Sequence, residues 1–330
     1  MSAPLTTLAS ALPAVATTAA PAVAATSAVP ATPAAPTPTG GADLPPLRSP
    51  LRIFFSRLVR EKPVGAAAAL VFMLFVFSGV FAHWLAPYGY NEISMLERLK
   101  PPSWAHLFGT DNLGRDMFSR CLYGAQLSVI IGLSAAALAT VLSVLIGTLT
   151  GYLGGRFDMV VQRIVDAYMS FPELVILIAV VSVVGPGMLQ IIGVLSLVLG
   201  IGGSRIIRSA VISARENMYV HAAQSIGAST GRVLWRHLLP NIMPPIIVLF
   251  TTRVGAVILI ESGLSFLGLG VPPPAPTWGG LLSGSGRTYM FQGPWLALAP
   301  GLCLTVMVYA TNVFGDALRD LLDPRMRGSR

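Results

Sequence analysis

Charge is the first thing this sequence lacks. Only 11% of its 330 residues are Asp, Glu, Lys or Arg, against 54% hydrophobic, and the mean hydropathy is +0.70. A soluble domain carries about 25% charged residues, so a water-facing surface of ordinary extent is excluded and lipid is indicated as the main solvent. Cysteine is nearly absent. Cys121 precedes one apolar run and Cys303 lies inside another, without metal spacing or a redox pair. The four histidines, His83, His106, His221 and His237, are scattered, which argues against a metal site. No nucleophile–base arrangement is visible. No Gly-rich phosphate loop ending in Lys-Ser/Thr occurs, so ATP hydrolysis cannot be assigned to this chain. The net charge of +8 sits in short basic groups between apolar runs, not in a patch interleaved with aromatics. That excludes a nucleic-acid surface and suits loops on the cytoplasmic face of a membrane.

What is present falls into two materials. The first 45 residues are Ala, Pro, Thr and Val, with Asp43 as their only charge. A signal peptide is argued against by the missing basic n-region and by Pro13, Pro21, Pro30, Pro33 and Pro36. The composition is that of a disordered extension. The remainder is a series of apolar runs long enough to span a bilayer, which takes about 20 residues.

Such runs cover residues 64–85, 126–153, 242–267 and 295–314. Between Glu173 and Arg205 no charge occurs, and one helix there would reach roughly 47 Å, too long for a core of about 30 Å. Gly185-Pro186-Gly187 divides it. The second part, 188–204, nearly suffices alone. The first is too short, so the third helix is predicted to recruit residues 159–172 and to carry Arg163, Asp166 and Glu173. Arg163 and Asp166 are spaced for a local ion pair. Residues 268–294, rich in Gly and Pro, read as irregular. The glycines between Gly147 and Gly155 read as sites of close helix packing.

Six spans put both termini on one side. With the N-terminus inside, the cytoplasmic segments hold 16 Lys and Arg, and the outer loops hold five, Arg98, Lys100, Arg115, Arg120 and Arg287. The positive-inside bias therefore predicts both termini in the cytoplasm.

The long loop between spans four and five is the most informative segment. It contains His221-Ala222-Ala223, then Gly227, then His237, Leu239 and Pro240. Its first half forms a short helix with a small face of Ala222, Ala223 and Ala228. Gly227 permits a tight exit, and Pro240 suits the first turn of the next helix. The spacing resembles the EAA motif of type I ABC importer permeases, Glu-Ala-Ala, three residues, Gly, nine residues, an apolar residue, any residue, Leu-Pro. His221 stands where Glu is usual, and His237 stands at the apolar position, as in the dipeptide and oligopeptide branch. Phe108-Gly-Thr-Asp-Asn-Leu-Gly-Arg-Asp116, Leu264-Ser-Phe-Leu-Gly-Leu-Gly270 and Gly315-Asp-Ala-Leu-Arg-Asp-Leu-Leu-Asp-Pro-Arg325 resemble further signatures of that branch, in order. The resemblance covers about residues 50–326.

The resemblance implies an all-α integral membrane protein of the bacterial inner membrane with six transmembrane helices, the type I ABC permease fold. Its parts would be a disordered cytoplasmic extension at 1–50, a first helix and extracytoplasmic loop at 51–123, the ABC transmembrane type-1 domain at 124–316 with its coupling loop at 205–241, and a cytoplasmic tail at 317–330. It implies a permease for dipeptides or oligopeptides, partnered by a homologous B-type permease, two ABC ATPase subunits that bind ATP and Mg, and an extracytoplasmic peptide-binding protein. No cofactor is expected in this chain. The implied ATPase-coupling residues are His221, Ala222, Ala223, Gly227, His237, Leu239 and Pro240.

Arg253 and Glu261 lie inside the fifth span, where charge is costly unless paired or hydrated. Eight residues apart, they stand about 80° apart round a helix, as lining of a translocation path or as members of buried ion pairs. Other readings are a same-branch importer for nickel, glutathione or another small solute, and an ion-coupled secondary transporter. The latter favours internal repeats, of which none is clear. A membrane-embedded enzyme lacks paired catalytic groups.

Overall fold

The computed structural model describes residues 50–322, and the expectations for the N-terminal extension and for the end of the tail lie outside them. The described residues form one compact unit. Among the described residues the regular structure is helical, apart from one isolated antiparallel bridge between Thr110 and Asp116.

Helix α1 (Pro50–Glu61) is amphipathic and basic. Phe54 and Leu58 pack on Ala317 and Leu321 near the chain's far end, and Lys62 pairs with Asp320 at 2.5 Å. Pro63 then opens α2 (Pro63–Val80) at a position where its missing N–H costs nothing. Apolar on every side, α2 leaves Leu70, Met73, Leu74 and Phe77 exposed, as a helix in contact with lipid does.

Helix α3 (Met117–Leu153) is 37 residues long, about 55 Å, so it overshoots a bilayer core. Asp116 caps its start by accepting a bond from Ser119 N at 2.7 Å. Gly154 ends it at φ +64°. Its most extensive neighbour is α6 (Met188–Arg215). Gly147 and Gly151, four apart, set the closeness of that contact. A Cβ on Gly147 would lie 2.8 Å from Arg208 N, and one on Gly151 would lie 3.0 Å from Arg208 O. Small residues at such spacing let backbones meet in lipid, as the sequence predicts.

The third span differs from expectation. Instead of one helix over 159–184 there are two, α4 (Gly155–Met169) and α5 (Glu173–Val184), bent by 88°. Pro172 lacks an N–H and disfavours the helical region for Phe171, so the ladder stops at Ser170. The 12 residues of α5 reach only about 18 Å. α4 carries charge on one side and packs along α6, where Arg208 grips Asp158 through Nε at 2.7 Å and Asp166 pairs with Arg205. The local Arg163–Asp166 pair expected from spacing is therefore replaced by a bond between helices. Among the described residues five helices are long and apolar enough to cross a membrane, and the bent α4–α5 pair brings the number to six if it is one span.

Helices α6, α8 (Met243–Phe266) and α9 (Trp295–Leu322) enclose the core with α3, through Ile191, Leu195, Val257, Ile258 and Met307, all fully buried. Residues 268–294 are more ordered than their composition suggests. Thr277 caps a helical stretch from Trp278 to Tyr289. The buried Trp278 donates from Nε1 to Cys121 O at 3.1 Å and meets Phe75 edge-on. Residues 87–116 fold into a polar cap. His106, 3% exposed, bridges Asp116 Oδ1 at 2.9 Å and Glu97 Oε2 at 3.1 Å. Bonds from Lys100 and His106 hold the Glu97 carboxyl below its usual range.

Candidate functional site: the inter-span loop and the buried charges

Between α6 and α8 the chain folds α7 (Met218–Ser225), then a helical segment from Thr230 to Asn241 with a π-helical stretch at Val233–Leu238. Helix α7 ends in a Schellman motif. Gly227 N donates to Gln224 O at 2.9 Å and Ala228 N to Ala223 O at 3.0 Å, with Gly227 at φ +81°. That left-handed turn is what glycine supplies without strain, and it accounts for the residue at this position.

The loop is braced against three spans. Val220, Val233 and Leu238 form a buried cluster with Ala228 and Tyr152 against it. Gln224 Nε2 donates to the Tyr152 hydroxyl at 3.2 Å, and Arg215 Nη1 donates to Tyr152 O at 3.1 Å, closing the C-terminal end of α3. Leu239 and Ile242 pack with Ile207, Val211 and Leu249 of α6 and α8. The loop between α6 and α8 is therefore packed against α3, α6 and α8.

The residues singled out from sequence divide. His221, Ala222 and Gly227 are exposed, Ala223 is buried at 5%, and His237 and Leu239 are half-buried. The small face expected from Ala222, Ala223 and Ala228 does not form as one surface. Adjacent helical residues point about 100° apart, and Ala223 turns inward while Ala222 turns out. Pro240 is the second residue of the short turn Leu239–Asn241, and α8 starts after it at Met243. The sequence reading missed Met218 and Ile226, exposed at 87% and 86%. With Ala222 they form an i, i+4, i+8 stripe, and that spacing was the signal available. On this stripe a small residue stands between two large apolar ones.

Arg253 and Glu261 share α8 without meeting. Arg253 Nη1 donates to Ser143 Oγ at 3.0 Å and Nη2 to Leu199 O at 2.6 Å. Its guanidinium fills the space left by Gly203. It lines a cavity of about 450 Å³ bounded by the α4–α5 elbow, α6 and α8. Glu261 is fully buried and accepts from Ser265 Oγ at 2.6 Å, with Thr277 against it, so it clasps the 268–294 segment to α8. Neither charge makes an ion pair with the other. Among the described residues no cluster able to hold a metal occurs.

A bundle of apolar spans with an exposed loop braced between two of them is the architecture of a polytopic membrane protein. Comparison with known proteins agrees. The family described as binding-protein-dependent transport system inner membrane component matches residues 143–328, and the N-terminal TM domain of oligopeptide transport permease C matches residues 49–102. The dipeptide transport system permease protein DppC of Alkalihalophilus pseudofirmus is 38% identical over 279 residues, covering 84% of this chain and 91% of that protein. The di/tripeptide transport system permease protein DppC of Pseudomonas aeruginosa is 38% identical over 288 residues, covering 85% and 94%. Among solved structures, the MetNI methionine ABC transporter matches with a TM-score of 0.47 and 18% identity over 63% of this chain and 98% of that one, too loosely to argue from.

This chain belongs to the family of binding-protein-dependent transport system inner membrane components, the permeases of ABC importers. Members of the family are non-catalytic inner-membrane subunits that work with ATPase and binding-protein partners.

Proposed function

We propose that this permease carries dipeptides or oligopeptides into the cell. It pairs with a homologous B-type permease, two ATPase subunits that bind ATP and Mg, and an extracytoplasmic peptide-binding protein. Both termini and the α7 loop face the cytoplasm, in line with the distribution of Lys and Arg. ATP binding closes the ATPases, they push on α7, and the spans rock between outward and inward states. The bundle moves only as far as ATP favours one state over the other. The translocation path runs past Arg253, while Glu261 holds the wall that bounds it. This chain contributes no catalytic group.

The observation that carries this reading is the bracing of α7 to α3, α6 and α8 through Tyr152, Leu238 and Leu239, beneath an exposed stripe of Met218, Ala222 and Ile226. The test is uptake of labelled di- and tripeptides in a strain lacking the chain, complemented by wild type or by Ala222→Trp, with co-purification of the ATPases. Wild type restores uptake. Ala222→Trp, whose added bulk points outward, is inserted normally but loses the ATPases or their coupling, since overpacking a docked surface costs about 1–3 kcal/mol. Full coupling in Ala222→Trp and in Ile226→Asp removes α7 as the transmission element.

A further inference from the structure

We propose that the cavity at the elbow of the broken span is a subsite for the two charged ends of a short peptide, with Arg253 taking the carboxylate and Glu173 the ammonium. The proposal rests on the reading of the chain as a peptide permease and names where that cargo is held in transit.

Position comes first. Arg253 is ten residues into α8, about 15 Å along it, near the middle of a core about 30 Å thick. An ionised side chain at that depth is costly and marks a partner, a water-filled space or a cargo route. The protein partners of Arg253 are a hydroxyl and a carbonyl, both neutral. A guanidinium has five N–H donors, and these two bonds leave donors free on the cavity side. The charge is held in place without a salt bridge.

The cavity has the size and lining a small cargo needs. Its volume of about 450 Å³ falls within the roughly 300–1,000 Å³ of small-molecule sites. Tyr168, Phe171 and Glu173 of the elbow face Leu199, Gly202 and Arg253. The Tyr168 hydroxyl is fixed by donating to Val198 O at 3.1 Å. Non-helical backbone at membrane depth persists only where it is buried in protein or lines an aqueous cavity, and the elbow at Ser170–Pro172 lies beside this one.

The charges themselves select the cargo. Glu173 and Arg253 both line this cavity without a salt bridge between them, so a positive and a negative group share its wall. A zwitterion satisfies both at once. A metal cation is repelled by Arg253, and a neutral solute leaves both groups unsatisfied. The aromatic and aliphatic remainder of the lining makes no demand on side-chain identity, so recognition through the termini admits many peptides.

The experiment uses the assembled importer, purified without its binding protein and carrying Gly202→Cys. Gly202 faces the cavity, and a Cβ there meets nothing within 4 Å. The rate of maleimide labelling is followed as alanyl-alanine, its C-terminal amide or its N-acetyl form is added, against the parent complex with its native cysteines. Alanyl-alanine is expected to protect, and each blocked form to need at least a tenfold higher concentration. Arg253→Gln removes discrimination against the amide and weakens protection by the free dipeptide at least tenfold, with partial rescue by Arg253→Lys. Glu173→Gln removes discrimination against the N-acetyl form.

Equal protection by all three peptides overturns the proposal, as does undiminished protection in Arg253→Gln. Loss of the second permease from the Arg253→Gln complex, with protection unchanged in what remains, also overturns it and gives Arg253 to the subunit interface. Dipeptide uptake into vesicles by the wild-type complex without any protection of Gly202→Cys sinks the subsite and leaves the importer reading intact. Absence of dipeptide uptake sinks that reading, and the subsite with it.

Discussion

At the scale of single residues, the loop between α6 and α8 shows why a motif's letters have different causes. Gly227 is there for its backbone. Nothing lies within 4 Å of the place a Cβ would take, so a side chain would not clash, but a φ of +81° costs an L-residue about 1–2 kcal/mol. Gly227→Val is expected to loosen the Schellman turn and reduce coupled uptake, Gly227→Asn to do so less, and neither to affect insertion. Peptide-stimulated ATPase activity at equal expression checks this, and equal activity in Val and wild type would refute it. His221 is exposed, and its backbone carbonyl accepts from the Ser225 hydroxyl. His221→Glu is therefore expected to be tolerated within the roughly 0.5 kcal/mol of surface substitutions. Ala223 is buried, so its small size suits an enclosed position. Bulk there tests the folding of the loop, and bulk at Ala222 tests its docking.

At the scale of elements, two findings depart from periodicity, and one agrees with it. Residues 159–184 satisfy the length rule as one helix, but Pro172 and the grip of α6 on Asp158 and Asp166 divide them into a surface helix and a short inner one. Residues 268–294 look like loop because they are rich in Gly. Yet Gly279 is glycine because its helix lies on the backbone of Ser262, and that contact, together with Trp278, orders the segment. The agreement is at the α3–α6 seam. Gly147→Leu places bulk against the backbone of Ser204 and Arg208, where overpacking costs about 1–3 kcal/mol. The purified complex is expected to melt at lower temperature. Gly193→Leu on helix α6, where a Cβ meets nothing within 4 Å, serves as the neutral comparison. Equal melting of the two variants would show that the seam tolerates a wider spacing.

At the scale of the whole molecule, lipid decides where charge is placed. The positive-inside rule assigns the basic residues before α2, along α6 and through the α7 loop to one side, and the His106 cap with Arg115 and Arg120 to the other. Ser225 and Ser103 are both exposed on these opposite segments. In intact cells an impermeant thiol reagent is expected to reach Ser103→Cys and to miss Ser225→Cys until the membrane is opened. Ready labelling of Ser225→Cys in closed cells would invert the topology and remove α7 from the reach of cytoplasmic ATPases.

Composition and spacing alone settle the solvent, the helical spans and the glycine that turns the loop between α6 and α8. Each of these follows from local chemistry, through the cost of charge in hydrocarbon, the length of a helix and the φ that only glycine adopts freely. Packing in three dimensions settles the rest: which alanine of the pair faces out, that Met218 and Ile226 flank it, that Asp166 bonds Arg205, and that Glu261 is enclosed while Arg253 lines a cavity. Those outcomes depend on which helices are neighbours and at what rotation. Long-range contacts set both, and residues as distant in the chain as Ser143, Leu199 and Arg253 meet only once they have done so.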